Sequence, residues 1–287
     1  MRVALATCER LPDLDEDGPA LLGCLRAAGV RAEPVVWDRP ADWDAYDLVV
    51  VRSTWDYSLR REEFLAWART VPRLANPVGV LAWNTDKSYL RELEAAGVPV
   101  VPTTWLRPGD RFEAPPGPFV VKPTVSAGAR DTARYDGPSA AASGHADALL
   151  AAGRGVMVQP YQEGVDLGGE TSVLMFGGVV SHGARKGPLL TAAAGVRQDV
   201  DSRQAVTARE PSAAEVRVAR AALAVVGQDL LYARVDLVPG PDGDPLLLEL
   251  ELTEPSLFLR HSAGAAERFA AAVRARAGRT ARPSTPS

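Results

Sequence analysis

An α/β chain whose second half turns α+β is what this sequence predicts, and three observations predict it. Short apolar strands alternate with helical stretches through residues 1–83, which implies a parallel sheet with helices on its faces. Later segments pair instead through tight turns: Gly177-Gly178 separates two strands, and PGPDGDP separates two more within Leu230–Ser256. At 287 residues and 46% hydrophobic, the chain can bury a large core and is long enough for two domains or more.

The first half reads in order. Val3–Thr7 is a strand, Pro19–Ala28 a helix ended by Gly29, and Ala32–Trp37 and Asp47–Val51 are further strands. Arg61–Thr70 carries Phe64, Leu65 and Ala68 at helical spacing. In parallel sheets ligands bind beyond the carboxyl ends of the strands. Two loops lie there, Cys8–Gly18 and RSTWDYS, Arg52–Ser58. The second is read as a substrate loop through Arg52, Ser53, Asp56 and Tyr57, or else as a helix-capping turn with Trp55 and Tyr57 folded into the core. The first contains DLDEDG, which imitates a calcium loop but has Cys24 where a bidentate Glu belongs.

Asn84 is expected to cap a helix that runs to Gly97, and Lys87 falls in its first turn, where the helix dipole disfavours a cation. An anionic partner explains that placement; so does a snorkelling surface lysine. Strands follow at Val98–Trp105 and Pro118–Lys122, the latter running into the small residues Ser126, Ala127, Gly128 and Ala129. Such a loop lets backbone N–H groups approach phosphate oxygens, although neither GxxxxGK[ST] nor GxGxxG is present. A helix at Ser139–Ala152, a strand at Val156–Gln159 and a strand opening at Glu170 complete the middle of the chain. Arg185 and Lys186 lie on the strand after Gly178. Ser212–Val226 is a helix with Val216, Ala219, Leu223 and Val226 on one face, and a last helix spans Phe258 to about Arg276.

Composition narrows the partners. A net charge of −4, a pI near 5.5 and no basic block argue against nucleic acid or an anionic membrane. No stretch is long and apolar enough for a signal peptide or a membrane span, and Cys8 and Cys24 form no cluster, so a cytoplasmic protein with reduced thiols is expected. His145, His182 and His261 are too dispersed for zinc. Lys87, Lys122 and Lys186 are the only lysines among 32 basic residues, so each invites a specific reason.

The hairpin within Leu230–Ser256 gathers most of the chemistry. Tyr232, Arg234 and Asp236 alternate along one strand, and Glu249 and Glu251 share a face of the other, Leu246–Leu252. Three converging carboxylates repel unless a cation sits among them, and their hard oxygens suit Mg²⁺. An edge hairpin with a wet charged face is the alternative.

Together these features resemble the ATP-grasp superfamily of carboxylate–amine ligases over nearly the whole chain. The pattern is a helix Lys, a strand Lys before a small-residue loop, a hinge, a ribose acid, Arg-x-Asp and Glu-x-Glu. The likeness is to the glutathione synthetase and ribosomal-modification branch, and RSTWDY and WNTDKSYL are most similar to the cycloserine synthetase subgroup, which closes O-ureido-D-serine into D-cycloserine. The resemblance implies an ATP-grasp fold. It comprises an N-terminal α/β domain (1–83), a central subdomain with a lid loop (84–158), a C-terminal subdomain with a metal site (159–277) and a disordered tail (278–287).

It also implies ATP and Mg²⁺ as cofactors, with roles carried residue by residue. Lys87 and Lys122 would meet the phosphates, and Ser126–Ala129, including Gly128, would form the lid, although this one is poorer in Gly than usual. Gln159, Pro160 and Tyr161 would read the adenine, and Glu170, with Glu163 as rival, the ribose. Arg234 would sit by the transferring phosphoryl group, with Arg185 holding a substrate carboxylate or the intermediate. Asp236, Glu249 and Glu251 would hold Mg²⁺, Glu251 standing where many members carry Asn. Arg52, Ser53, Asp56, Tyr57 and Ser256 would read the amino-acid-like substrate. The implied activity is ADP-forming C–N bond formation through an acyl phosphate, in a family where homodimers are common. Intermolecular amide or dipeptide synthesis, and a non-catalytic ATP-binding module, are the alternatives.

Overall fold

Strand parity places almost everything in this molecule. The computed structural model describes residues 1–191, 195–198 and 204–280. β1 (Arg2–Thr7), β2 (Arg31–Val36), β3 (Leu48–Ser53) and β4 (Leu74–Ala75) form a parallel sheet in the order β2-β1-β3-β4. Successive side chains point to opposite faces. Val3, Leu5 and Val50 therefore pack with Leu21 and Leu25 of α1 (Gly18–Ala27) and Phe269 and Val273 of the C-terminal helix α8 (Ala265–Thr280). Ala4, Ala6, Val49 and Val51 face the other way, onto Phe64, Leu65 and Ala68 of α2 (Arg61–Thr70).

The second sheet is antiparallel: β5 (Thr104–Leu106), β8 (Val156–Pro160), β6 (Phe119–Pro123) and β7 (Ala133–Tyr135), in that spatial order. Phe119 and Val121 pack onto Ala142, Ala146 and Leu150 of α5 (Ala140–Ala151). Parity then sends Val120 and Lys122 to the opposite face, where both line a large cavity.

The third sheet runs β11 (Val206–Ala208), β10 (Val179–Lys186), β9 (Glu170–Phe176), β12 (Tyr232–Pro239), β13 (Pro245–Glu251), all antiparallel. The β9–β10 turn has both Gly177 and Gly178 at positive φ, 56° and 79°, the requirement of the two-residue turn that matches strand twist. One face of this sheet packs Val173, Met175, Val235 and Leu250 onto α3 (Val78–Asn84), α4 (Tyr89–Ala95) and α7 (Ala213–Val226). Its other face is apolar at Leu174, Phe176 and Tyr232, against α8, and ionic at Arg234 and Asp236. Among the described residues no helix is long and apolar enough to cross a membrane.

Several boundaries depart from expectation. Asn84 does not cap the next helix. It ends α3, and its side chain bonds Leu250 O (2.7 Å) and Leu252 N–H (2.7 Å), so a buried β13 end outcompetes the capping role. Lys87 lies in the turn before α4, not inside a helix. Of Val98–Trp105 only Thr104 and Trp105 belong to a strand, β5, because Pro99 and Pro102 lack the N–H a ladder needs. The α7 face turned inward is Val218, Ala219 and Ala222, with Leu223 and Val226 at its edge and Val216 outside. The last helix begins at Ala265 because Phe258 (φ 51°) and Gly264 (φ 73°) are left-handed, which a helix cannot continue through. It runs through Thr280, so residues 278–280 of the expected tail are helical; 281–287 lie outside the described residues.

Asn76 joins the N-terminal sheet to the hairpin. Fully buried at φ 60°, it donates to Tyr232 O (3.0 Å) and Leu252 O (2.8 Å) and accepts from Leu231 N–H (2.8 Å). Asn76→Ala strands three buried backbone groups and leaves a non-Gly residue at positive φ without side-chain bonds. A loss of about 2–4 kcal/mol is expected, read as a lower urea midpoint at unchanged slope. A change below about 1 kcal/mol would show that water takes over these bonds.

Candidate active site

The three sheets enclose a cavity of about 1190 Å³. Its floor is the ionic face of β12 and β13. Arg234 pairs in register with Glu251, and Asp236 with Glu249, so the alternating residues of the two strands share one side. Arg234 grips Asp236 with Nε (3.0 Å to Oδ1) and Nη2 (2.9 Å to Oδ2), and Nη2 also reaches Glu251. Ser172 Oγ donates to Asp236 Oδ1 (2.6 Å), and Lys186 Nζ lies 2.8 Å from Oδ2 and 2.7 Å from Glu170. Burial opposes every one of these charges, yet Arg234 and Lys186 pull the Asp236 carboxyl well below the usual range. Asp236 and Glu170 in turn hold the Lys186 ammonium above its ordinary value.

The outer part of the floor is looser. Lys87 Nζ donates to Ser126 O (2.7 Å) and lies 3.1 Å from Glu249, whose carboxyl is lowered, against burial, by Lys87 and Lys122. Glu251 is pushed up to about 7 by burial, with Glu249 and Asp236 adding to it, despite its bond to Arg234. The Lys122 side chain makes no hydrogen bond or ion pair among the described residues, and burial lowers it to about 8. An unpaired, nearly buried ammonium on a cavity wall is a receptor for an anion.

The three acids expected to hold Mg²⁺ sit in two kinds of surroundings. Among the described residues no three His, Cys, Asp or Glu side chains gather to hold an ion. Asp236 is 1% exposed and its oxygens are occupied by Arg234, Lys186 and Ser172, so guanidinium and ammonium supply the cation that three carboxylates need. Glu249 and Glu251 line the cavity. Two carboxylates suit Mg²⁺, which ordinarily takes one or two from protein and completes its shell with phosphates and water.

The other expected site residues divide. Ser126, Gly128, Gln159, Pro160, Tyr161, Glu170, Tyr57 and Ser256 line the cavity. Gly128 and Ala129 both adopt left-handed backbone, φ 60° and 59°, so the loop holds one non-Gly residue under strain. Tyr161 is braced from behind, its hydroxyl on Asp166 of the short helix α6 (Gly164–Gly168) at 2.5 Å and the Arg134 guanidinium 3.6 Å from its ring centre. Glu163 is exposed and outside the cavity. Arg185 has opposite parity to Lys186 on β10. It is exposed and donates to Leu167 O (2.6 Å), so Lys186 is the cation that faces inward. Arg52 is 1% exposed and spent on Pro255 O (3.0 Å) and Asp15 (3.5 Å). Ser53 Oγ accepts from Asp15 N–H, and Asp56 accepts from Trp37 Nε1 (3.0 Å) and Arg60 (2.9 Å). These three brace the loop; Trp55 and Tyr57 present it to the cavity.

The sequence reading missed Lys186 and Glu254 as site residues. A register shift between Val180 and His182 reverses the parity of β10 after the Gly177-Gly178 turn, so Lys186, opposite Glu170, and not Arg185 shares the face of Asp236; Glu254 carried no signal beyond being a third acid after Glu249 and Glu251.

Residues 3–76 match the model of the D-cycloserine synthetase DcsG N-terminal domain. The cycloserine biosynthesis protein DcsG of Streptomyces lavendulae is 42% identical over 94% of this chain and 97% of its own. The chain belongs to the DcsG family of ATP-grasp ligases. The crystal structure of D-cycloserine synthetase DcsG superposes with a TM-score of 0.85 at 38% identity, covering 98% of this chain and all of that one. D-alanine–D-alanine ligase from Bacillus anthracis shares the fold at a TM-score of 0.69 and 13% identity, covering 97% of this chain and 98% of that one. With a DcsG-family chain 42% identical end to end, the cavity between the three sheets is the place to seek the ligase chemistry.

Proposed function

We propose that this DcsG-family ligase closes a ring within an amino-acid-like substrate, with O-ureido-D-serine as substrate and D-cycloserine as product, at the cost of ATP. The observation that most supports this is the 42% identity, across 94% of the chain, to a protein named for cycloserine biosynthesis. The likeness takes in the N-terminal loops that line one end of the cavity.

In this reading the triphosphate lies along Lys87 and Lys122, with Gln159, Pro160 and Tyr161 at the adenine and Glu170 near the ribose. Glu249 and Glu251 would hold Mg²⁺, which supplies positive charge to the β- and γ-phosphates. A substrate carboxylate oxygen attacks the γ-phosphorus and ADP leaves. Lys122, unpaired and desolvated, meets the charge that spreads over the phosphoryl oxygens, and Arg234, fixed by Asp236 and Glu251, offers a second preorganised cation. The ureido nitrogen bonded to oxygen then attacks the acyl carbon, phosphate departs, and the nitrogen's proton goes to water. The carbamoyl group left on the ring nitrogen is removed by one water as carbon dioxide and ammonia.

Incubation with ATP, Mg²⁺ and O-ureido-D-serine should release ADP and phosphate and yield the ring by mass spectrometry. ADP release that requires a second amine, with a linear amide as product, would replace this reading by intermolecular ligation.

A further inference from the structure

Charge on the cavity wall is almost fully paired. Lys87 faces Glu249, Lys186 faces Asp236 and Glu170, and Arg234 faces Asp236 and Glu251. Two half-buried or buried exceptions remain among the described residues. One is the cation Lys122, discussed above. The other is Glu254, which lines the same cavity and whose side chain makes neither a hydrogen bond nor an ion pair. The other cavity acids are paired, as Asp15 is with Arg52, or exposed, as Asp13 is.

The backbone around Glu254 is clamped on both sides. Tyr232 Oη donates to Thr253 O (2.7 Å), Arg52 to Pro255 O (3.0 Å) and Arg234 to Ser256 O (3.2 Å). An anchored segment that holds a half-buried carboxyl without a partner stabilises nothing by doing so, and such a group calls for an absent partner. Burial, with Glu251 and Glu249 nearby, pushes this carboxyl well above the usual range, and Lys87 and Arg234 offset that only in part.

We propose that Glu254 receives the ammonium group of the substrate, so that the site selects an amino acid over the matching carboxylic acid. The inference rests on the ligase reading above, and deepens it: Lys122 attracts the phosphate end of the reaction, and Glu254 the amino end of the substrate. A charge-assisted contact of this kind is worth on the order of 10- to 100-fold in affinity.

The test is calorimetric titration of the protein, loaded with a non-hydrolysable ATP analogue and Mg²⁺, with D-serine and with 3-hydroxypropanoate, which lacks only the amino group. The wild type should prefer D-serine by about 10- to 100-fold. Glu254→Gln should remove that preference, leave 3-hydroxypropanoate binding unchanged and keep the melting temperature, while Glu254→Asp regains part of it. Preference that persists in Glu254→Gln, parallel loss of both ligands, or a wild type that binds neither or does not discriminate overturns the assignment. Turnover of O-ureido-D-serine is scored separately. Its absence counts against ring closure, and the binding result stands on its own.

Discussion

Glu249→Gln should lower ADP release by on the order of a thousandfold while the fold survives. Glu249 is the carboxylate placed between the two lysines that the ligase reading assigns to the triphosphate. It lies 3.1 Å from Lys87 and is pulled down by Lys87 and Lys122. The amide keeps a carbonyl oxygen that Lys87 can still donate to, so packing changes little. It loses the negative charge that would hold Mg²⁺ against the β- and γ-phosphates. Initial rates of ADP release across a range of Mg²⁺ concentration, with the melting temperature as a control, separate the two effects. Turnover within tenfold of wild type would remove Glu249 from the chemistry.

The largest effect on stability should come from Asp236→Asn. Arg234 and Lys186 both close on this one carboxylate, which is 1% exposed. Neutralising it leaves two buried cations short of an anion, and breaking a buried pair in this way costs about 3–5 kcal/mol. The double variant Lys186→Met, Asp236→Asn removes one of the two excess positive charges and should recover part of that loss, a coupling of about 1–3 kcal/mol. Additive losses would mean that the three groups do not act as one unit. The sign of the pH dependence follows from the Asp236 carboxyl lying well below its unfolded value. Its contribution is present above the ordinary aspartate range and fades as pH falls through that range toward the depressed folded value. The wild type should therefore lose this increment only under acid, and Asp236→Asn should show a flatter acid limb.

Much of the site was legible because it rests on period-two alternation over short distances. Asp236 and Glu249 are register partners on one face, and Lys122 feels Glu249 from the neighbouring sheet, as the hairpin pattern and the VVKP strand imply. The partners of Arg52, Ser53 and Asp56 are not legible in the sequence. Their chemistry suits a substrate, but Pro255, Asp15 and Trp37 come to meet them from parts of the chain that sequence distance hides. That Lys186 rather than Arg185 turns inward follows from the register shift between Val180 and His182, which no local pattern announces. Glu254 had no pattern at all; its meaning comes from lacking a partner, which only three dimensions reveal.

By itself the sequence determined the strand–helix alternation, the two hairpins, and which side chains of each strand travel together, since these follow from local dihedral preferences and the twofold pleat. Tertiary structure alone decided which acids face cations and which face solvent. It turned Asn76 and Asn84 into braces for β13, and it set Lys122 and Glu254 as the unpaired charges of a shared cavity. The physical reason is that pairing depends on distances of a few ångströms between residues as far apart as Arg52 and Pro255, and no local propensity carries that information.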